Sequence, residues 1–129
     1  MDTIGEFLTR IRNAGMAGHE KVDVPNSRMR EGIADILREE GYIRNFKTVK
    51  DGRQGMMRVY LKYKKSGEPA IAHLERVSKP GRRKYLKSVD IQKVRNGFGT
   101  AVMTTSKGVM TGDKAQAEGM GGEILFNVW

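Results

Sequence analysis

The chain has no cysteine and only two histidines, His19 and His73, among its 129 residues. Disulfides and thiolate chemistry are therefore excluded, neither a clustered metal site nor a cofactor is expected, and a reducing compartment is implied. Long apolar runs are also missing. Asp2, Glu6, Arg10 and Arg12 break up the first residues, so the sequence predicts no signal peptide and no membrane partner, and points to a cytoplasmic protein. The third shortage is of acid: 15 Asp+Glu stand against 24 Lys+Arg, a net charge of +9. Hydrophobic residues make up 38% of the chain, enough for a modest core in one domain or two small lobes.

The deficit of acid is uneven. Residues 41 to 95 carry 16 Lys+Arg against 4 Asp+Glu, a net of +12, while residues 1 to 40 carry 6 against 8 and residues 96 to 129 carry 2 against 3. Charge this lopsided repels itself unless something neutralises it. A polyanion does so with a gain, because each phosphate that is neutralised releases condensed counterions.

Hydrophobic spacing then orders the chain. Thr3 and Glu6 form a capping-box pattern ahead of Ile4, Phe7, Leu8 and Ile11, which predicts an amphipathic helix over residues 3 to 14. Val22-Asp23-Val24, stopped by Pro25, reads as a brief edge strand. Asn26 or Ser27 caps a second helix with Met29, Ile33, Ile36 and Leu37 on its buried face and Gly41 at its end. Residues 42 to 49 and 56 to 63 read as two strands joined by a turn around Lys50-Asp51-Gly52-Arg53. In the second of them Met57, Val59, Leu61 and Tyr63 alternate with Arg58, Tyr60, Lys62 and Lys64, so its outer side is basic. The result is an αβαββ unit over residues 1 to 64.

Lys64 to Pro69 is polar and looks like a connector. The remaining residues, 65 to 129, read as a mainly β lobe with short helices, and the whole as an α+β protein of two small lobes. Residues 70 to 77 predict a strand, Lys79-Pro80-Gly81-Arg82 a turn, residues 90 to 96 a short helix closed by Gly97, and residues 98 to 105 a strand running into the Ser106-Lys107-Gly108 turn. Thr111 caps one more short helix, and residues 122 to 129 form the last strand.

Two stretches carry the candidate chemistry. The run Thr104, Thr105, Ser106, Lys107 and Gly108 offers hydroxyls, an ammonium and backbone donors, which suit phosphate and ribose oxygens and make few demands on base identity. The turn bearing Lys79, Arg82, Arg83 and Lys84 projects four cations beside Tyr85, whose ring can stack on a ribose or a base. Arg and Lys would supply affinity, while the hydroxyls, backbone N–H groups and Glu123 would select one folded shape. For Tyr60, Tyr63 and Trp129, packing is the expected role.

Catalysis finds little support. Gly97-Phe98-Gly99 opens like a dinucleotide fingerprint, but Val102 stands where the third glycine belongs. Ser106 and Lys107 are adjacent, so on a strand they point to opposite faces and cannot form a nucleophile and base. A small hydrolase on that pair, or a basic factor that touches RNA or DNA only transiently, are the competing classes. Salt-sensitive binding without turnover separates binding from catalysis.

In several segments taken in order, the chain resembles the bacterial form of small-subunit ribosomal protein eight over essentially its whole length. The segments are Thr9-Arg10-Ile11-Arg12-Asn13-Ala14, Val22-Asp23-Val24-Pro25, Glu39-Glu40-Gly41-Tyr42-Ile43, Lys79-Pro80-Gly81-Arg82, Thr105-Ser106-Lys107-Gly108-Val109-Met110-Thr111 and Gly121-Gly122-Glu123-Ile124-Leu125. The resemblance implies two lobes and a non-enzymatic protein of the small ribosomal subunit. It further implies binding of the central domain of small-subunit rRNA, neighbouring small-subunit ribosomal proteins as partners, no DNA partner, and repression of its own operon through an mRNA that mimics the rRNA site. By the same resemblance Thr104 to Gly108 would contact an irregular rRNA helix with Glu123 beside them. The family usually reads Ser-Thr-Ser where this chain has Thr104-Thr105-Ser106, which keeps the hydroxyl and adds a methyl.

Overall fold

Residues 2–50 and 55–129 are described by a computed structural model, in which Thr3–Ala72 form one compact unit and Asp2 with His73–Trp129 form a second. Helices and antiparallel sheets alternate in both, an α+β arrangement.

The first unit runs α1 (Thr3–Met16), β1 (Lys21–Pro25), α2 (Arg28–Glu39), β2 (Ile43–Val49) and β3 (Met56–Leu61). α1 buries Ile4, Phe7, Leu8, Ile11 and Ala14, and continues to Met16, beyond the expected end at residue 14. Ser27 caps α2: its hydroxyl accepts from the Arg30 N–H at 3.1 Å, while Asn26 instead donates to Glu31 at 2.9 Å. Sequence periodicity did not single out Arg30, which is buried. Its guanidinium donates to the carbonyls of Pro25 (2.7 Å) and Thr3 (2.9 Å) and lies 5.6 Å from the centre of the Phe7 ring, so burial of the charge is offset by directed partners.

The strands order as β1-β3-β2, all antiparallel, with Val24, Met57, Val59 and Leu61 buried. β3 ends at Leu61 and alternates as its sequence implied, buried side chains interleaved with half-buried ones. Of the turn expected around Lys50-Asp51-Gly52-Arg53, Asp51 to Arg53 lie outside the described residues. The polar stretch after β3 folds back onto its own unit: Lys64 N–H donates to the Glu68 carbonyl (2.8 Å), and Ala70 N–H to the Lys62 carbonyl (2.9 Å). The compact units consequently divide after Ala72, eight residues beyond the connector's first residue.

In the second unit come β4 (Leu74–Arg76), β5 (Tyr85–Leu86), two 3-10 turns (Ser88–Asp90 and Val94–Gly97), β6 (Thr100–Thr105), β7 (Gly108–Thr111), α3 (Gly112–Ala117) and β8 (Gly122–Val128). The sheet order is β4-β8-β6-β7, and β5 also pairs with β8. Ile91, Ala101, Met103, Met110, Ala115 and Ile124 form its buried cluster. α3 starts where expected, with the Thr111 hydroxyl accepting from Lys114 N–H at 3.1 Å. Asp2 belongs to this unit because both its carboxylate oxygens take hydrogen bonds from Arg76 (3.0 and 3.2 Å), and Arg76 also donates to the Leu125 carbonyl (2.5 Å).

Two expectations for this unit are corrected. The strand expected over residues 70 to 77 is only Leu74–Arg76, the three residues paired in register with β8, beyond which the Val77 and Ser78 N–H groups still donate to the Leu125 and Ile124 carbonyls (3.0 and 3.1 Å). The helix expected over residues 90 to 96 is replaced by the two 3-10 turns. Arg95 (φ 50°) and Asn96 (φ 55°) both turn left-handed, which no α-helix admits.

Candidate functional site

The second unit gathers both candidate stretches around Glu123. Across the sheet, β8 places Glu123 opposite Thr104 of β6 on one side and opposite Tyr85 of β5 on the other. Residues opposite one another in antiparallel strands share a face, so Tyr85 and Thr104 flank Glu123 in one row, about 10 Å apart at ordinary strand spacing. The loop of hydroxyls and the basic turn, 19 or more positions apart in sequence, are thus neighbours on one surface.

The hydroxyl loop is the tip of the β6–β7 hairpin, in which Thr105 pairs with Gly108. Thr105 holds it shut: its hydroxyl accepts from Lys107 N–H (3.1 Å) and donates to the Gly108 carbonyl (3.1 Å). Gly108 completes the reversal at φ 106°, a conformation that a side chain would strain. With Thr105 turned inward, Ser106 and Lys107 stand exposed, and the Ser106 hydroxyl has no hydrogen-bond partner among the described residues. Thr104 is half-buried.

The basic turn is equally built. Lys79 and Arg82 exchange backbone hydrogen bonds (3.1 and 2.9 Å) around Pro80-Gly81, and their side chains, with Arg83, Lys84 and Tyr85, face solvent. Tyr85 is 67% exposed and so presents its ring outward, on a two-residue strand that the sequence did not announce.

What anchors this turn is Ser78, which sequence reasoning did not identify. It is fully buried, accepts from Lys84 N–H at 3.1 Å and donates to Glu123 through a short hydrogen bond. Arg83 also donates to the same Glu123 oxygen at 3.1 Å. Burial pushes the Glu123 carboxyl up. The hydrogen bonds from Ser78 and Arg83, with the charges of Arg83 and Arg76, outweigh it and hold the carboxyl below its ordinary 4.5. Glu123 is therefore an ionised strut between the turn and the sheet, and its partners leave it poorly placed to accept a proton from a substrate.

The glycine pair before Glu123 permits the close approach that this row needs. A Cβ on Gly122 would lie 2.3 Å from the Thr104 carbonyl oxygen, and one on Gly121 would lie 2.6 Å from that of Leu86. Neither a group of three metal-ligating side chains nor a helix long and apolar enough to cross a membrane occurs among the described residues.

The profile of the family described as Ribosomal protein S8 matches residues 2–129. The chain is 57% identical over 129 residues to the small ribosomal subunit protein uS8 of Bdellovibrio bacteriovorus, covering 100% of both chains. It is 52% identical over 128 residues to that of Geotalea uraniireducens (99% of this chain, 97% of the relative). It is 49% identical over 128 residues to that of Streptococcus equi subsp. zooepidemicus, with the same coverage. These likenesses define the class as a ribosomal, non-enzymatic protein. The chain belongs to the Ribosomal protein S8 family, and as such is a component of the small subunit that serves translation within a ribonucleoprotein.

Proposed function

We propose that the protein is a primary rRNA-binding protein: it grips the central domain of small-subunit rRNA through its second unit and helps that domain to assemble, in the cytoplasm. Thr104, Thr105, Ser106, Lys107 and Gly108 contact the backbone of an irregular helix, and Lys79, Arg82, Arg83, Lys84 and Tyr85 flank it. Glu123 holds the two sets in register. The observation that carries the reading is the row Tyr85, Glu123, Thr104, which puts the hydroxyl tip and the basic turn on one preformed surface. Such a surface needs little ordering when it binds, so little of the interaction energy is lost to entropy. Because it reads backbone shape, it accepts any RNA with the same fold, which supports repression of its own operon through a mimicking mRNA. Neighbouring small-subunit proteins are the remaining partners, and DNA is not one.

The test is a salt titration of affinity for a central-domain rRNA fragment beside a scrambled duplex of equal length. Preference for the folded fragment should persist as salt rises, whereas equal affinities that collapse together would reduce the protein to a generic basic binder. Ser106→Ala should weaken binding by about 1 kcal/mol, the value of one desolvated hydroxyl contact, measured by filter binding or calorimetry. Replacing Arg82 and Arg83 with Gln should flatten the dependence of log K on log salt by about 0.9 for each duplex phosphate no longer neutralised. Unchanged binding in both variants would refute the site.

A further inference from the structure

The outer face of the first unit's sheet has no role in the reading above. Val24, Met57, Val59 and Leu61 point into the core, so the side chains that alternate with them face outward. Register places Lys21, Tyr60 and Asn45 side by side, with Asp23, Arg58 and Lys47 in the next row. Asp23 brings the single carboxylate among these six residues, and Arg58 engages both its oxygens at 2.8 and 3.1 Å. Lys21 and Lys47 are exposed and make no ion pair among the described residues. The Lys47 ammonium lies 5.6 Å from the centre of the Tyr60 ring. Residues 41 to 65 as a whole carry eight Lys+Arg against one Asp+Glu.

We propose that this sheet face binds a single-stranded RNA segment, with a base stacked on Tyr60 and phosphates neutralised by Lys21 and Lys47. The central strand supplies an aromatic ring, β1 supplies Lys21 directly beside it at about 5 Å, and β2 supplies Lys47 on the diagonal one row further on, at about 7–8 Å, so the ring stands between two cations as a base stands between the phosphates of an unpaired strand. A duplex keeps its base faces stacked internally and has nothing to offer the ring. An acidic protein segment would satisfy the lysines but would make no use of Tyr60. The Lys47 ammonium is exposed and lies 5.6 Å from the centre of the half-buried Tyr60 ring, so displacing it opposes base stacking only weakly.

The probe is a short labelled oligouridylate, titrated into the full-length protein in the presence and absence of the central-domain rRNA fragment. Tyr60→Leu should weaken its binding on the order of tenfold, and Tyr60→Phe should retain it. Replacing Lys21 and Lys47 with Gln should lower the salt slope by about 0.7 for each phosphate left without its cation; both residues are exposed, so this variant tests the surface even if Tyr60→Leu fails to fold. Affinity for the folded fragment should be unchanged in each, and if that fragment proves to bind without preference, the oligouridylate result still stands by itself. Oligouridylate binding that is indifferent to Tyr60→Leu and to the lysine pair would overturn the proposal. So would polyglutamate binding of equal strength that depends on the lysines alone, since that would identify an acidic protein segment as the occupant.

Discussion

Glu123→Ala is expected to lower the stability of the protein by about 3 kcal/mol, with Ser78 as the main reason. Glu123 is 9% exposed and Ser78 not at all, so removing the carboxylate leaves the serine hydroxyl without its acceptor where water cannot replace it. A hydrogen bond to a charged group contributes roughly 1.5–3 kcal/mol, whereas the ion pair to Arg83, whose side chain is 50% exposed, adds at most about 1 kcal/mol. Affinity for an rRNA fragment should fall as well, because Arg83 loses the carboxylate that orients its guanidinium on the turn, although backbone hydrogen bonds still hold the turn to β8. Urea unfolding and fragment binding check the two effects. A variant as stable as the parent would show that Ser78 and Glu123 are not coupled.

The same residue gives the protein an acid-sensitive element. The folded-state pKa of Glu123 is held below its ordinary 4.5, so the ionised carboxylate is bound more favourably in the folded chain than in the unfolded one. That stabilisation is complete above 4.5 and is lost as pH falls through the depressed folded value. Across this window Glu123→Gln, which keeps an acceptor but has no charge to titrate, should lose stability less steeply than the parent. Parallel unfolding curves would place the acid sensitivity elsewhere.

Gly122→Ala should be nearly as damaging, by a different route. The added Cβ would sit 2.3 Å from the Thr104 carbonyl oxygen and 3.2 Å from the Thr105 methyl. The oxygen is backbone, fixed by the pairing of β6 with β8, and cannot swing aside as a side-chain tip would. The strands must separate where Thr104 meets Glu123, which costs about 2–3 kcal/mol by analogy with overpacked cores. The displacement also moves the base of the hydroxyl loop, so binding should weaken along with stability. Gly81→Ala is the control: its Cβ meets nothing within 4 Å, and stability should change by no more than about 0.5 kcal/mol. If the two variants unfold alike, the close approach is not a constraint.

Much of this architecture is legible in the amino-acid order. The spacing of Ile4, Phe7, Leu8 and Ile11 specifies α1, alternation specifies β3, and Pro80-Gly81 and Gly108 mark the two turns of the proposed interface, all of them interactions between near neighbours in sequence. The readings that missed depend on distant partners. Ser78 is an unremarked serine until β8 brings Glu123 to it from 45 positions away. Tyr85–Leu86 is too short to show a period and exists as a strand because Glu123 and Gly122 lie opposite. The helix expected over residues 90 to 96 is the exception and fails for a local reason: Arg95 and Asn96 turn left-handed, which Asn tolerates better than most residues but nothing in Arg95 signals.

The clasp between Asp2 and Arg76 also bears on how the chain matures during its own synthesis. The anchor of Asp2 follows it 74 positions later in the chain, and the Leu125 carbonyl that shares Arg76 later still. Residues 3–72 can acquire their structure while the remainder is being polymerised, in the usual order for domains emerging from the exit tunnel. Asp2 instead waits for a partner that closes one of the longest loops in the molecule, a step whose entropic penalty grows only slowly with loop length. An acidic side chain translated well before its anchor is thus among the later ones to take its place.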